Sequence, residues 1–133
     1  MKMDDFKLYI CDENQMKIYD TTIQKHLNEI LKMSLTNLTS RERTTKNVFG
    51  FKSKVPIYIN NSILLMCIRS YRLDKSFYIN YFSIQNYCKK KEYIILFFNT
   101  NHCMKIKEKH AFYKQLEKCH MIIDFLNNTK MLT

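Results

Sequence analysis

Positive side chains gather in one short stretch, Thr39–Ile59 (TSRERTTKNVFGFKSKVPIYI), where Glu42 is the one acid. Such side chains neutralise phosphate oxygens, and arginine also favours the enhanced negative potential of a narrow A/T-rich minor groove. The stretch is therefore a candidate contact for duplex DNA. Its cations are Arg41, Arg43, Lys46, Lys52 and Lys54. Small side chains among them could donate to phosphate oxygens: Thr39, Ser40, Thr44, Thr45, Asn47 and Ser53.

The same stretch holds the only glycine and the only proline of the chain, Gly50 and Pro56. Its first half shows no sustained period of 3.6 residues, which predicts an irregular basic arm that becomes a strand near Val48–Phe51. Gly50 then indicates a bulge or a close backbone approach. Because proline holds the preceding residue in extended geometry, we expect a central strand to start at Pro56 and Ile57.

The whole chain is basic, with 22 Lys and Arg residues against 12 Asp and Glu, a net charge of +10 and a pI of about 9.4. This balance favours polyanionic partners, either nucleic acid or an anionic membrane surface. Codon bias is a second explanation, because the many Lys, Asn, Ile, Tyr and Phe residues follow A/T-rich codons. The stretch 39–59 could also be a solvated loop that covers a sheet edge, or a contact for RNA or membrane of low specificity.

Two further groups of lysines are open to more than one interpretation. The run CKKKE at Cys88–Glu92 precedes the apolar segment YIILFF. Charges in that position keep an apolar strand from pairing between chains, and the alternative is a loop that contacts phosphate. The lysines near the C-terminal end are interpreted as a solvated helix face: Lys107, Lys109, Lys114 and Lys118.

Motifs of catalysis and cofactor binding are missing from the sequence, which has no Gly-rich phosphate loop and no H-E-x-x-H. The five cysteines show no C-x-x-C spacing, and neighbours such as His102 and Cys103 would point apart on a strand. We expect no enzyme activity, no cofactor and no metal, with free thiols in a reducing cytoplasm. The apolar runs are too short to span a bilayer, and Met1–Tyr9 lacks the apolar core of a signal peptide.

The alternating pattern of Phe6–Asp20 predicts an N-terminal β-hairpin with a polar loop at positions 12–14. Apolar residues at helical spacing then predict a helix from Thr22 to Leu35. Thr21 and Gln24 form a T-x-x-Q capping box at its start.

Five short β-like runs follow the basic stretch: PIYI, SILLMCIRS, SFYINYFSI, EYIILFF and HCMKIK. The last two form the clearest hairpin, around Asn99–His102, where asparagine tolerates a positive φ. A stripe from Phe112 to Leu126 predicts a C-terminal helix that ends at Asn127-Asn128. The expected fold is α+β in a single domain over residues 1–133: an N-terminal β-hairpin, a helix, a mostly antiparallel sheet of about five further short strands, and a C-terminal helix.

This order of motifs resembles the ComK competence transcription factors over roughly Phe6 to Asn127. An aromatic-Ile-Asn-x-x-x-Ile strand is present at Tyr78–Ile84, and a strand ending in Phe-Asn-x-x precedes the last helix. The most specific match is the family pattern G-x-x-x-K-x-P-I, which is carried by Gly50, Lys54, Pro56 and Ile57.

The resemblance implies an oligomeric activator of DNA-uptake genes that contacts paired A/T-rich boxes through the minor groove. An adaptor or protease-targeting protein is a further candidate partner. The chain departs from the family in three places: an aromatic-glycine pair after the first helix is missing, CIRS at Cys67–Ser70 replaces F-P-T, and Tyr78 replaces Trp. The alternative is therefore a ComK-like protein-interaction module, or a general binder of RNA or membrane surfaces, without specific DNA recognition.

Overall fold

The computed structural model describes the backbone of residues 8–12, 15–19, 22–69 and 77–131, and the side chains of residues 22–68 and 78–129. The described ranges form an α+β fold, which confirms the predicted class. In chain order the elements are β1 (Leu8–Asp12), β2 (Gln15–Tyr19), α1 (Ile23–Lys32), α2 (Leu38–Phe49), β3 (Ile57–Asn60), β4 (Ile63–Arg69), β5 (Phe77–Asn80), a 3₁₀ turn (Tyr81–Ser83), β6 (Ile84–Lys89), β7 (Ile94–Phe98), β8 (Cys103–Ile106) and α3 (Lys109–Met131).

Strands β1 and β2 pair in antiparallel fashion, with Asp12 opposite Gln15, and the predicted N-terminal hairpin is confirmed. The predicted loop residues Glu13 and Asn14 lie outside the described residues.

Helix α1 starts one residue later than the predicted capping box requires. Its N-cap is Thr22, whose Oγ1 accepts the backbone N–H of Lys25 at 3.2 Å, and Thr21 lies outside the described residues. The helix also ends before the predicted Leu35, because Leu35 takes a left-handed φ of 59°. The N–H of Thr36 then bonds to the carbonyl of Leu31, which closes the last turn.

The prediction of an irregular basic arm and a strand at 48–51 is wrong, because the segment Leu38–Phe49 is helix α2. Two asparagines start this helix: Asn37 Oδ1 accepts the N–H of Ser40 at 2.8 Å, and Asn28 Oδ1 accepts the N–H of Leu38 at 2.7 Å. Gly50 ends it with a φ of 72°, and its N–H bonds to the carbonyl of Lys46. Gly50 is therefore a helix C-cap rather than a bulge.

The strands after α2 form two antiparallel three-stranded sheets, ordered β3-β4-β5 and β6-β7-β8. Six strands follow α2 within the described residues, compared with about five predicted. The extra strand is β6, most of which comes from the segment NYCKKK that separates two of the predicted strands. The run SFYINYFSI is split by the 3₁₀ turn Tyr81–Ser83, where Asn80 Oδ1 accepts the N–H of Phe82.

Strand β3 starts at Ile57, immediately after the buried Pro56, as predicted. The hairpin of β7 and β8 is also confirmed, and Asn101 has a φ of 66° in its turn. The N–H of Phe98 bonds to the carbonyl of His102 across that turn.

Alternate residues of the first sheet belong to two separate cores. Ile57 and Ile59 of β3 pack with Leu27 and Leu31 of α1 and with Leu38 of α2. The other core joins β4, β5, β7, β8 and α3, and its buried residues are Leu64, Met66, Ile68, Ile79, Ile94, Leu96, Ile106, Phe112, Cys119 and Ile122. The first sheet therefore lies between the α1–α2 pair and α3.

The apolar stripe of α3 is confirmed, but its predicted end is wrong. Phe112, Cys119 and Ile122 are buried, and the helix continues past Asn127-Asn128 to Met131. Gln115 lies within the stripe and is only 2% exposed.

We predict that Gly50→Ala lowers the free energy of unfolding by about 1–2 kcal/mol, because a non-glycine residue is strained in the left-handed region. A Cβ at this position would meet no atom within 4 Å, so steric overlap adds nothing. Urea unfolding measures the change. Gly50→Asn is the matched control and should lose less, since asparagine tolerates this conformation. Equal stability of Gly50→Ala and the unaltered chain would contradict the assignment of Gly50 as the cap.

Candidate nucleic-acid interface

The exposed face of α2 carries four polar side chains at helical spacing, Thr39, Arg43, Lys46 and Asn47. They line a shallow groove of about 390 Å³ together with Glu42. Arginine, lysine and asparagine are the side chains that most often contact phosphates and base edges in DNA. This α2 face is thus a cationic, hydrogen-bonding surface.

The two arginines predicted to act together are separated by the helix. Arg43 is exposed, whereas Arg41 is partly buried. Arg41 Nη1 donates to the carbonyl of Tyr58 at 3.1 Å, and its guanidinium carbon lies 5.5 Å from the centre of the Tyr58 ring. Arg41 therefore links α2 to β3, and Arg43 alone of the pair lies on the α2 face.

The loop from Gly50 to Pro56 presents Lys52 and Lys54 to solvent. Lys54 has a φ of 49°, and helix α3 holds its carbonyl, which accepts from Gln115 Nε2 at 2.6 Å. Gln115 Oε1 accepts the N–H of Cys67 at 3.0 Å, so one buried amide joins this loop to β4.

Lys118 makes the second attachment of the loop to α3. Its Nζ donates to the carbonyl of Ser53 at 2.7 Å and to that of Lys54 at 3.4 Å, and it lies 5.2 Å from the centre of the Phe51 ring. The interpretation of Lys118 as part of a solvated face is therefore wrong. Desolvation lowers the pKa of Lys118, and the charges of Lys114 and Lys54 lower it further.

A cleft of about 260 Å³ brings cations from α2 and the loop together. Lys46, Lys54 and Glu42 line it. Its apolar walls come from α1, α2, the loop and β3: Ile23, Leu27, Leu38, Val55 and Ile57. Of the predicted site residues, the structure thus groups Arg43, Lys46 and Lys54. Lys52 is exposed in the adjoining loop, and Arg41 turns toward Tyr58.

Sequence reasoning missed Gln115 and Lys118, although they fix the loop that carries two of the candidate cations. One signal was present: Gln115 is a polar residue three positions after Phe112 and four before Cys119, on a stripe of apolar residues. A buried polar side chain on such a stripe needs hydrogen-bond partners.

The four cysteines whose side chains are described lie in different environments. Cys67 and Cys119 are buried, Cys88 is partly buried and Cys103 is exposed. Desolvation raises the pKa of Cys119 to about 12. Within the described part of the chain, no three His, Cys, Asp or Glu side chains lie together as a metal site would require.

The described residues thus form an α+β fold in which the basic helix α2 adjoins a basic loop that α3 holds in place. The family model described as ComK protein matches residues 4–130, and the chain belongs to the ComK family. Neither the curated proteins nor the solved structures contain a significant match. Among the described residues, no helix has the length and apolar character needed to cross a membrane.

We predict that Gln115→Leu lowers the free energy of unfolding by about 1–3 kcal/mol, because the N–H of Cys67 loses its acceptor and the carbonyl of Lys54 loses its closer donor. Urea unfolding provides the measurement. Lys114→Gln, an exposed position one residue away, is the control and should be close to neutral. Stability equal to that of the control would contradict the clamp.

We also predict that iodoacetamide at pH 8 modifies Cys103 in the folded chain and leaves Cys119 unmodified. The thiolate is the reactive form, and Cys119 is both buried and protonated at this pH because its pKa is about 12. Peptide mass spectrometry gives the extent at each site, and modification in urea is the control. Equal modification of the two thiols in the folded chain would contradict the burial of Cys119.

Proposed function

We propose that this chain is a DNA-binding transcriptional regulator that activates competence genes by binding A/T-rich promoter boxes in the cytoplasm. The observation that carries the proposal is the α2 face, where Arg43, Lys46 and Asn47 are exposed beside the clamped loop of Lys52 and Lys54. Membership of the ComK family supports the same function.

Helix α2 changes how the minor groove would be reached. A helix with its side chains is about 10–12 Å across, whereas the minor groove of B-DNA is about 6 Å wide. Helix α2 is therefore too wide to enter the minor groove of undistorted B-DNA. We infer that α2 lies over the groove and that the long side chain of Arg43 extends into it, where A/T-rich sequence concentrates negative potential.

The lysines of this surface have a different role in the proposal. Lys46 and Lys54 line one cleft, and Lys52 is exposed in the same loop, so the three ammonium groups could contact successive phosphates. Phosphate contacts set position and affinity without reading sequence. Each one should make the logarithm of the binding constant fall more steeply with the logarithm of salt, with a slope of about −0.9 per contact.

Paired A/T-rich boxes require more than one copy of the α2 face on one DNA. We therefore propose that the chain acts as a homo-oligomer, and an adaptor or protease-targeting protein remains a proposed partner by membership of the family. The protein acts without enzyme activity or cofactor in this proposal.

We predict that Arg43→Ala weakens binding to a duplex with spaced A/T boxes by about 1–3 kcal/mol and leaves stability unchanged. Arg41→Ala is the matched comparison and should instead lower the free energy of unfolding, because Arg41 bonds to Tyr58 inside the fold. Fluorescence anisotropy on labelled duplexes and urea unfolding separate the two effects.

The same anisotropy measurement on a G/C-rich scramble is the control for sequence preference. A preference for the A/T duplex that persists near physiological salt and falls in Arg43→Ala supports the proposal. Equal binding to both duplexes that disappears with salt would overturn it and favour a ComK-like interaction module or general polyanion binder.

A further inference from the structure

We propose that the chain has a second contact surface for the phosphate backbone of duplex DNA, at the end of the second sheet next to the start of α3. The inference rests on the proposed DNA binding and adds a surface that α2 and its loop do not contain. We call it the sheet-end surface. It comprises Lys89, Lys90, Lys91, Lys105, Lys107 and Lys109.

The register of the second sheet brings these lysines to one end. Lys89 of β6 lies opposite Ile94 of β7, which in turn lies opposite Ile106 of β8. Lys90 and Lys91 occupy the turn that joins β6 to β7, Lys107 follows β8 directly, and Lys109 is the first residue of α3. The segments 89–92 and 105–109 together hold six lysines against two glutamates, so this end of the sheet carries excess positive charge.

Contacts within the fold hold several of these side chains in place. Lys109 Nζ donates to the carbonyls of Lys90 at 2.8 Å and Lys91 at 3.0 Å, which fixes the turn. Lys105 Nζ lies 4.5 Å from the centre of the Tyr93 ring, and Lys89 Nζ lies 5.9 Å from that of Tyr113. A surface ordered in advance loses less conformational entropy when it binds a ligand.

Protection of an apolar strand explains only part of this surface. It accounts for lysines that flank β7, but it gives no reason for Lys107 at the same end, or for the bonds from Lys109 across the turn. A protein interface is a poorer match, because lysine is depleted in such interfaces. A membrane is also a poorer match, since the large apolar side chains that are exposed in the described residues lie outside these two segments. The chemistry of phosphate groups fits best.

The sheet-end surface is separate from the α2 face and the loop that follows α2. The loop that follows α2 is clamped to α3 at Lys118, nine residues beyond Lys109. At 1.5 Å per residue the two positions lie about 14 Å apart along α3. DNA carries one phosphate charge for about every 1.7 Å of its axis, so the two surfaces would meet different phosphates. We infer that the sheet-end surface contacts DNA that flanks the A/T box.

The test compares a duplex trimmed to the A/T boxes with the same boxes extended by G/C-rich flanks. The variant is Lys90→Gln/Lys91→Gln, which removes two exposed charges and keeps Lys109. The control is Lys25→Gln/Lys32→Gln, which removes two exposed charges from α1. Circular dichroism confirms that each variant is folded, and anisotropy gives the binding constant at several salt concentrations.

We expect the variant to reduce the salt slope on the flanked duplex by about 1–2, since each lost phosphate contact removes about 0.9, and to leave the trimmed duplex unchanged. The α1 control should affect the two duplexes equally. An unaltered slope on the flanked duplex would overturn the inference, as would equal losses on both duplexes.

Different outcomes contradict the proposed function and the inference of a second DNA contact. If the unaltered chain shows no A/T preference, the proposed function is contradicted. The sheet-end surface is still supported if Lys90→Gln/Lys91→Gln reduces the salt slope on the flanked duplex and the α1 control does not. If the A/T preference holds while the slope is unaltered, the inference falls and the proposed function stands.

Discussion

A single buried amide connects the parts of this protein that must stay in register. Gln115 of α3 accepts a backbone N–H from β4 and donates to the carbonyl of Lys54 ahead of β3. The position it serves on β4 is where the pairing with β5 shifts register, between Cys67 and Arg69. Because an unsatisfied polar group costs free energy when buried, the amide fixes helix, strand and loop relative to one another. The direction of the basic loop follows from that arrangement.

The positive charge of this chain is held in place without being cancelled. Its 12 acids are too few to pair with 22 Lys and Arg residues, and several cations bind neutral partners instead. Lys109 and Lys118 donate to backbone carbonyls, and Arg41, Lys89 and Lys105 lie against tyrosine rings. Carbonyls and rings orient a cation through partial charges but leave its full charge in place. These contacts therefore orient the five cations and leave the net charge of +10 unchanged.

Periodicity predicted the apolar face of α3, since Phe112, Cys119 and Ile122 recur at helical spacing. Strand β7 was predicted instead from its continuous apolar run, IILFF. Helix α2 could not be predicted in this way, because Leu38 is its one buried residue and its other apolar residues, Val48 and Phe49, come together at its end. Its signals were the caps Asn37 and Gly50, and Gly50 was interpreted as a bulge or a close backbone approach instead. Strand β6 was missed because its exposed positions resemble a turn.

The sequence predicted which segment carries the candidate site, but not how the side chains of that segment are arranged in space. The charge pattern identified the residues from Arg41 to Lys54, but which arginine faces solvent depends on the phase of a helix that was not predicted. The meeting of Lys46 with Lys54 at one cleft, and the attachment of the loop to α3, join residues far apart in the chain. Local sequence carries no signal for contacts of that kind.

The position of α3 in the chain determines when the larger core can be completed during synthesis. Strands β4, β5, β7 and β8 leave the ribosome before the helix that completes their core, which supplies Phe112, Cys119 and Ile122. Until α3 is made, the core residues of these strands lack the helix that covers them, and the basic loop has neither Gln115 nor Lys118 to hold it. Apolar surface that is exposed in this way promotes aggregation of incomplete chains, so the core and the loop both depend on one helix that is made after them.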